Sequence, residues 1–229
     1  PILISCRIIK ESGQWAGTEQ QRQALIRQAI VAGPEYVELE LDIALGIPRF
    51  GNTQRVISHT SLHKPLGNVD EIFAEAARTH ADVVKFTWPT PTLEAAWPLL
   101  STVSQKRDLP VVGMGLGPCG LTFSLLCRKY GSPWIYAALE RGMEAYAGQP
   151  TVSDLDEIHR WRSISATTRF IGIDGFDDGT MELVGLFNQA AEADGLDVRW
   201  LPLAWQDTGR LKQMLELLKV GGGVGRSAG

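Results

Sequence analysis

Short apolar runs of β type alternate along this chain with stretches of helical spacing, and that alternation is what most restricts its fold. Ile2-Leu3-Ile4-Ser5-Cys6-Arg7, Tyr36 to Leu41, Arg55 to His59, Ala81 to Thr87 and Leu109 to Met114 read as strands. Between them, Thr18 to Ala32 places Ala24, Leu25, Ala29 and Ile30 on one helical face, and Gly33-Pro34 stops it. Val69 to Thr79, Thr92 to Arg107, Leu121 to Tyr130 and Asp154 to Arg162 are further helices, and Trp134 to Ala137 is a sixth extended stretch. Strand–helix alternation of this kind predicts βα units on a parallel sheet. The connection from Ala44 to Asn52 holds glycine and proline and has little room for a helix, so that crossover is expected to be irregular.

One strand carries a charge. In Ala81-Asp82-Val83-Val84-Lys85-Phe86-Thr87 a single lysine sits inside an apolar run. A buried ammonium is costly, so such a lysine is paired or has its pKa lowered. A desolvated, partly neutral amine is a nucleophile toward a carbonyl carbon and forms a Schiff base. The plainer alternative packs the stem in the sheet and sends the head group to solvent. In a (β/α) barrel the C-terminal strand ends share one face, where active sites are built. Lys85, His59 and Glu11 would then converge there from three strands. Taken singly, His59 reads more simply as a hydrogen-bonded loop histidine and Glu11 as a solvated charge.

Together these segments resemble type I 3-dehydroquinate dehydratase. Cys6-Arg7-Ile8-Ile9-Lys10-Glu11-Ser12-Gly13 is similar to the family's strand-end arginine followed four residues later by glutamate. Ser58-His59 with Pro65 resembles its Ser-x-His…Thr-Pro segment, one residue shorter before the histidine and with Lys64 for threonine. Asp82-Val83-Val84-Lys85 resembles the Schiff-base strand. Met114-Gly115, Gly131-Ser132 and Gly148-Gln149 fall at further family signatures. The resemblance implies an α/β fold of (β/α)8 TIM-barrel type over residues 1–160, lacking the first two strands in this chain. It implies dehydration of 3-dehydroquinate to 3-dehydroshikimate in the shikimate pathway. Lys85 would form the imine, His59 act as general base and acid, and Glu11 orient the imidazole. Arg7 and Gln149 would bind substrate. No cofactor and no metal is implied, and a homodimer is the expected assembly. The family's carboxylate-binding arginine would fall at Ser124, and Arg128, one helical turn on, is the candidate to reach back over it.

Residues 168–229 form a separate small α/β segment resembling the opening of shikimate dehydrogenase. It comprises strand Arg169 to Ile173, helix Thr180 to Asp194, strand Val198 to Leu203 and helix Thr208 to Lys219, with Phe187-Asn188 and Gly195-Leu196 at matching spacing. The segment lacks that family's serine pair, so dehydrogenase activity is expected to be absent. The glycine-rich stretch from Gly221 to Gly229 reads as a flexible end. A chain beginning at Pro1 reads as a fragment of a longer product.

Three alternatives stand beside the dehydratase reading. Another class I Schiff-base lyase or aldolase would use the same lysine, and a truncated, degenerate barrel would only bind ligand. Gly115-x-Gly117-x-x-Gly120, between a strand and a helix, also fits a dinucleotide fingerprint. Composition narrows the classes. A net charge of −4 gives no electrostatic case for nucleic acid or an anionic membrane. The apolar runs are too short to span a bilayer. Three cysteines without Cys-x-x-Cys spacing argue against a disulfide framework or zinc site and for a reducing, cytoplasmic compartment.

Overall fold

The computed structural model describes residues 2–203, 211–217 and 220–224. The chain divides into two compact units, residues 1–88 with 106–112, and residues 89–105 with 113–229.

The first unit is built on parallel strands β1 (Leu3–Ser5), β2 (Tyr36–Glu40), β3 (Gln54–Thr60) and β4 (Val83–Pro89), paired in sequence order. β5 (Val111–Leu116) completes a five-stranded sheet of order β1-β2-β3-β4-β5, and the barrel is not closed. Asp82 fixes the register between β3 and β4. Its amide donates to the Arg55 carbonyl, and its carboxylate accepts the Arg55 amide at 2.7 Å. That clamp lies three residues before Lys85 and sets Lys85 opposite Ser58.

Helix α1 (Glu19–Val31) begins with a capping box between Thr18 and Gln21, which satisfies two of the free amides of its first turn. Its buried stripe is Arg22, Ile26 and Ile30, whereas Ala24 and Leu25 are exposed. The apolar face expected from the sequence is therefore rotated. The reason is a buried arginine on the core side, whose guanidinium donates to Glu19, to Glu40 at 2.6 Å and to the Cys6 carbonyl at 2.8 Å. The Ala44–Asn52 connection forms one 3-10 turn at Ala44–Gly46 and no α-helix. Helix α2 (Val69–Arg78) buries Ile72 and Ala76.

The second unit holds α3 (Leu93–Ser104), α4 (Gly120–Lys129) and a second parallel sheet of order β7-β6-β8. That sheet comprises β6 (Arg169–Asp174), β7 (Val198–Leu203) and β8 (Val220–Val224), with α5 (Asp178–Ala193) and α6 (Leu211–Leu217) between them. Asn188 on α5 is fully buried and spends its whole amide on the backbone. It donates to Ile158 and Trp200 carbonyls and accepts the Trp200 amide at 2.7 Å.

The structure departs from the sequence pattern at three further places. Trp134 to Ala137 forms no strand among the described residues; the isolated bridge beside it joins Ala138 to Thr151. Asp154 to Arg162 is not one helix but a π-turn at Asp154–Ile158 followed by a 3-10 turn at Trp161–Ser163. The glycines after Val220 are not a loose end as far as Val224, because β6 supplies a parallel ladder that orders their backbone. Residues 225–229 and both ends of the Thr208–Lys219 helix, 208–210 and 218–219, lie outside the described residues. The glycine pattern at Gly115-x-Gly117-x-x-Gly120 has a packing reason. A Cβ on Gly120 would stand 2.4 Å from the Gly115 carbonyl oxygen, and one on Gly115 would strike Thr90. Cys119 and Cys127 are buried free thiols, and burial pushes Cys119 up to about 11.

His159 closes the π-turn, buried, with neither ring nitrogen hydrogen-bonded among the described residues. Burial lowers its pKa from 6.5 to about 4. Between these values the unfolded chain binds a proton that the folded chain refuses, so stability falls as pH drops through the window. The contribution is of order 3 kcal/mol. His159→Leu should remove that part of the acid sensitivity, measured as urea denaturation midpoints at pH 7 and pH 4.5.

Candidate active site

Parallel pairing puts aligned residues on the same side of the sheet, and alternate residues on opposite sides. The registers Glu40↔Ser58 and Ser58↔Lys85 therefore define one face. That face carries Glu38 and Glu40 from β2, Ser58 and Thr60 from β3, and Lys85 and Thr87 from β4. The opposite face carries Val37 and Leu39, Ile57 and His59, and Phe86 and Trp88, with Ile30 of α1 packed on the β2 side.

Lys85 is buried to 2% exposure, and its ammonium donates to both oxygens of Glu38, at 2.9 and 3.2 Å. Desolvation lowers its pKa from the ordinary 10.5; Glu38 opposes that shift and the nearby Arg7 guanidinium reinforces it. The lysine is therefore a paired, buried amine held closer to its nucleophilic form than a surface lysine is. Arg7 follows β1 and reaches the same cluster. Its Nε lies 3.7 Å from Glu38, and its Nη2 lies 3.4 Å from Glu11 and donates to the Thr60 hydroxyl.

The loop after β1 is shaped to bring Arg7 and Glu11 there. Ile9–Glu11 forms a 3-10 turn, Ser12 takes a left-handed conformation at φ 58°, and the chain doubles back with Trp15 donating to the Arg7 carbonyl. Gly13 closes that return. A Cβ at this position would stand 2.0 Å from the Arg7 carbonyl oxygen, so no side chain is tolerated.

Of the expected site residues, Lys85, Glu11 and Arg7 are brought together; Glu38, which the sequence pattern does not single out, pairs with Lys85 and Arg7, and Glu11 joins the cluster through Arg7. A strand with acidic residues two apart, Glu38 and Glu40, was the available signal. His59 is not brought to them. It aligns with Phe86, so the pleat directs it to the opposite face, while Thr60 stands on the Lys85 face. The Ser-x-His spacing counted from Ser58 falls on Thr60. Gln149 and Arg128 belong to the second unit. Gln149 is buried, and its carbonyl oxygen accepts the Ala145 amide at 2.7 Å. Arg128 does not reach back to Ser124. Its guanidinium donates to the Ser132 carbonyl beyond the C-terminus of α4 and lies over the Trp161 ring, where a cation meets free carbonyls. Ser124 donates to the Gly120 carbonyl.

Among the described residues no group of three or more His, Cys, Asp or Glu is placed to hold a metal ion. None of their helices is long and apolar enough to cross a membrane.

The family model for type I 3-dehydroquinase matches residues 1–166. The chain belongs to the type I 3-dehydroquinase family. It is 28% identical over 183 residues to the chloroplastic bifunctional 3-dehydroquinate dehydratase/shikimate dehydrogenase of Arabidopsis thaliana, covering 76% of this chain and 30% of that protein. To the 3-dehydroquinate dehydratase of Dehalococcoides mccartyi strain 195 it is 26% identical over 170 residues, 70% of this chain and 75% of the relative. The dehydroquinate dehydratase and shikimate dehydrogenase from S. pombe AroM superposes on the whole chain with a TM-score of 0.57 at 19% identity, over 45% of its own length. The type I 3-dehydroquinate dehydratase of Clostridium difficile, solved with covalently modified comenic acid, gives 0.60 at 18% identity, over 68% of this chain and 66% of that one. The chain thus spans less than half of both bifunctional relatives. At such identities the structural likeness speaks for the α/β, TIM-barrel-type fold of this type I 3-dehydroquinase chain.

The Lys85–Glu38 pair sets two expectations. Glu38→Gln leaves a buried ammonium without its counter-charge and should lower stability by about 3–5 kcal/mol, whereas Lys85→Met with Glu38→Gln should recover much of it. Because the folded pKa of Lys85 lies below 10.5, the unfolded chain holds the extra proton in that window, and stability contributed by this group rises with pH up to 10.5. Chemical denaturation of wild type and Lys85→Met across pH 7 to 10 should show that rising component only in the wild type.

Proposed function

We propose that this domain acts on 3-dehydroquinate through a Schiff base on Lys85, toward 3-dehydroshikimate and water. The observation that carries the reading is the buried Lys85 amine, depressed in pKa and ion-paired to Glu38, in a chain of the type I 3-dehydroquinase family.

Imine formation needs the amine free of its proton, and Glu38 is the acceptor in contact with it. The Lys85 nitrogen then attacks the ketone carbon, a C–N bond forms, and the carbonyl oxygen leaves as water after two proton transfers. The resulting iminium draws electrons from the adjacent C–H bond. Loss of that proton gives an enamine, which expels the β-hydroxyl as a second water, and hydrolysis of the product imine takes up one water, restoring the ketone and the free lysine, so that one water is released overall. Arg7, between Glu38, Glu11 and Thr60, is the cation for a substrate oxygen or carboxylate on this face. Thr87 adds a buried hydroxyl on the same face, without a hydrogen-bond partner among the described residues. The substrate roles of Gln149 and Arg128 rest on the family resemblance alone, and Arg128 serves a carboxylate only by leaving Ser132 and Trp161. The resemblance of residues 168–229 to the opening of shikimate dehydrogenase is likewise a proposal, supported by the bifunctional relatives.

A second reading, a domain that captures the ligand without turning it over, is favoured by one observation: His59 lies on the far face of the sheet.

Sodium borohydride added with 3-dehydroquinate should reduce the imine and leave a stable adduct on Lys85, located by peptide mass mapping. Lys85→Met should give none. An unmodified Lys85 in a folded, substrate-treated sample would defeat the Schiff-base reading.

A further inference from the structure

The two residues after Ser58 point in opposite directions, and that decides what chemistry the Lys85 face can complete. Thr60 aligns with Thr87 and accepts a hydrogen bond from Arg7, which itself pairs with Glu38, the partner of Lys85. Position 60 is therefore tied by side-chain contacts to the amine. His59 aligns with Phe86 and shares the side of Ile57 and Trp88. A β-strand has a side-chain period of two, so one residue of displacement carries a side chain to the other face.

The consequence follows the two halves of the reaction. Making the imine needs a proton acceptor at the lysine nitrogen, and Glu38 is 2.9 Å from it. Removing the carbon-bound proton and delivering one to the departing hydroxyl needs a group that gains and loses a proton near neutral pH. A threonine hydroxyl does neither. The carboxylates of this cluster and face are already committed, Glu38 to Lys85, Glu11 to Arg7 and Glu40 to Arg22. No histidine of β1 to β4 stands on this face.

Resting on the Schiff-base reading, we propose that position 60 is the proton-transfer position of this site. With Thr60 there, the chain captures a hydroxylated cyclic keto acid of the 3-dehydroquinate type as its Lys85 imine and releases water from it slowly. The site is competent for the first half of the reaction and stalled in the second. The accumulating species is the substrate imine, in which the β-hydroxyl is still present.

Borohydride trapping with 3-dehydroquinate tests this by the mass of the adduct, together with the absorbance of the conjugated product. Wild type should give a Lys85 adduct that retains the hydroxyl, and little product. Thr60→His restores an imidazole beside Arg7 and should raise product formation roughly 100-fold or more, with a trapped adduct lighter by one water. Thr60→Val, which adds no proton-transfer group, should show no gain. A folded Thr60→His protein with an intact substrate adduct and no gain in rate would overturn the proposal while leaving the Schiff base standing. So would a wild-type adduct already lighter by one water, a result that does not depend on whether Thr60→His folds. So would a wild-type turnover that collapses in His59→Ala. Absence of any Lys85 adduct would instead remove the Schiff-base reading and this proposal together.

Discussion

Lys85 and Glu38 form an ion pair in a place with almost no water, and the arrangement of the first unit follows from keeping that pair satisfied. Removing either charge alone would strand the other in a medium of low polarizability, which is far more costly than losing an exposed salt bridge. The geometry must therefore hold the two strands in one register. Asp82 does this from β4 by binding both the amide and the carbonyl of Arg55 on β3. Arg7 then balances the carboxylates: it lies between Glu38 and Glu11, and its position depends on a loop that folds back tightly enough to exclude any side chain at Gly13. The same features that make the lysine expensive to bury make it chemically useful, since desolvation is what pulls its pKa down.

A second buried cation repeats the lesson on the helical layer. Arg22 occupies the core-facing stripe of α1, where an apolar residue would be expected, and is matched by Glu40 of β2 and by the Cys6 carbonyl at the end of β1. Glu38 and Glu40, two residues apart on one strand, thus neutralise two different buried cations. Substitution of either glutamate would be felt in a different part of the unit, and the strand β2 is the electrostatic spine of both.

The relation between Ser58, His59 and Thr60 shows how much chemistry hangs on a pleat. By composition, the segment has the histidine that the family resemblance asks for, with Pro65 at the matching spacing. By register, that histidine packs beside Phe86 and a threonine stands in the site. The family assignment and the arrangement of side chains around Lys85 are thus separate matters in this chain: the first rests on residues 1–166 as a whole, the second on the phase of a single strand.

Much of the architecture was legible in the residues. The βα alternation predicted strands β1 to β7 and helices α1 to α5 to within a few residues, though not the broken Asp154 to Arg162 stretch, because apolar periodicity and turn chemistry are local properties. Lys85, Glu11 and Arg7 were likewise visible from their places at strand ends. What the sequence could not supply were properties that depend on neighbours distant in the chain. Glu38 became a site residue only when β2 was laid against β3 and β3 against β4. Arg22 hid the true face of α1 because its charge is cancelled by groups up to 18 residues away. The run Val220 to Val224 became a strand because β6 offered its backbone a ladder, and Trp134 to Ala137 stayed irregular for want of one. The sequence by itself determined the parallel α/β class, the family and the lysine set inside an apolar strand, since these follow from pattern and residue type. Only the tertiary structure decided which side chains face that amine, because sidedness in a sheet is set by register, and register is a relation between strands.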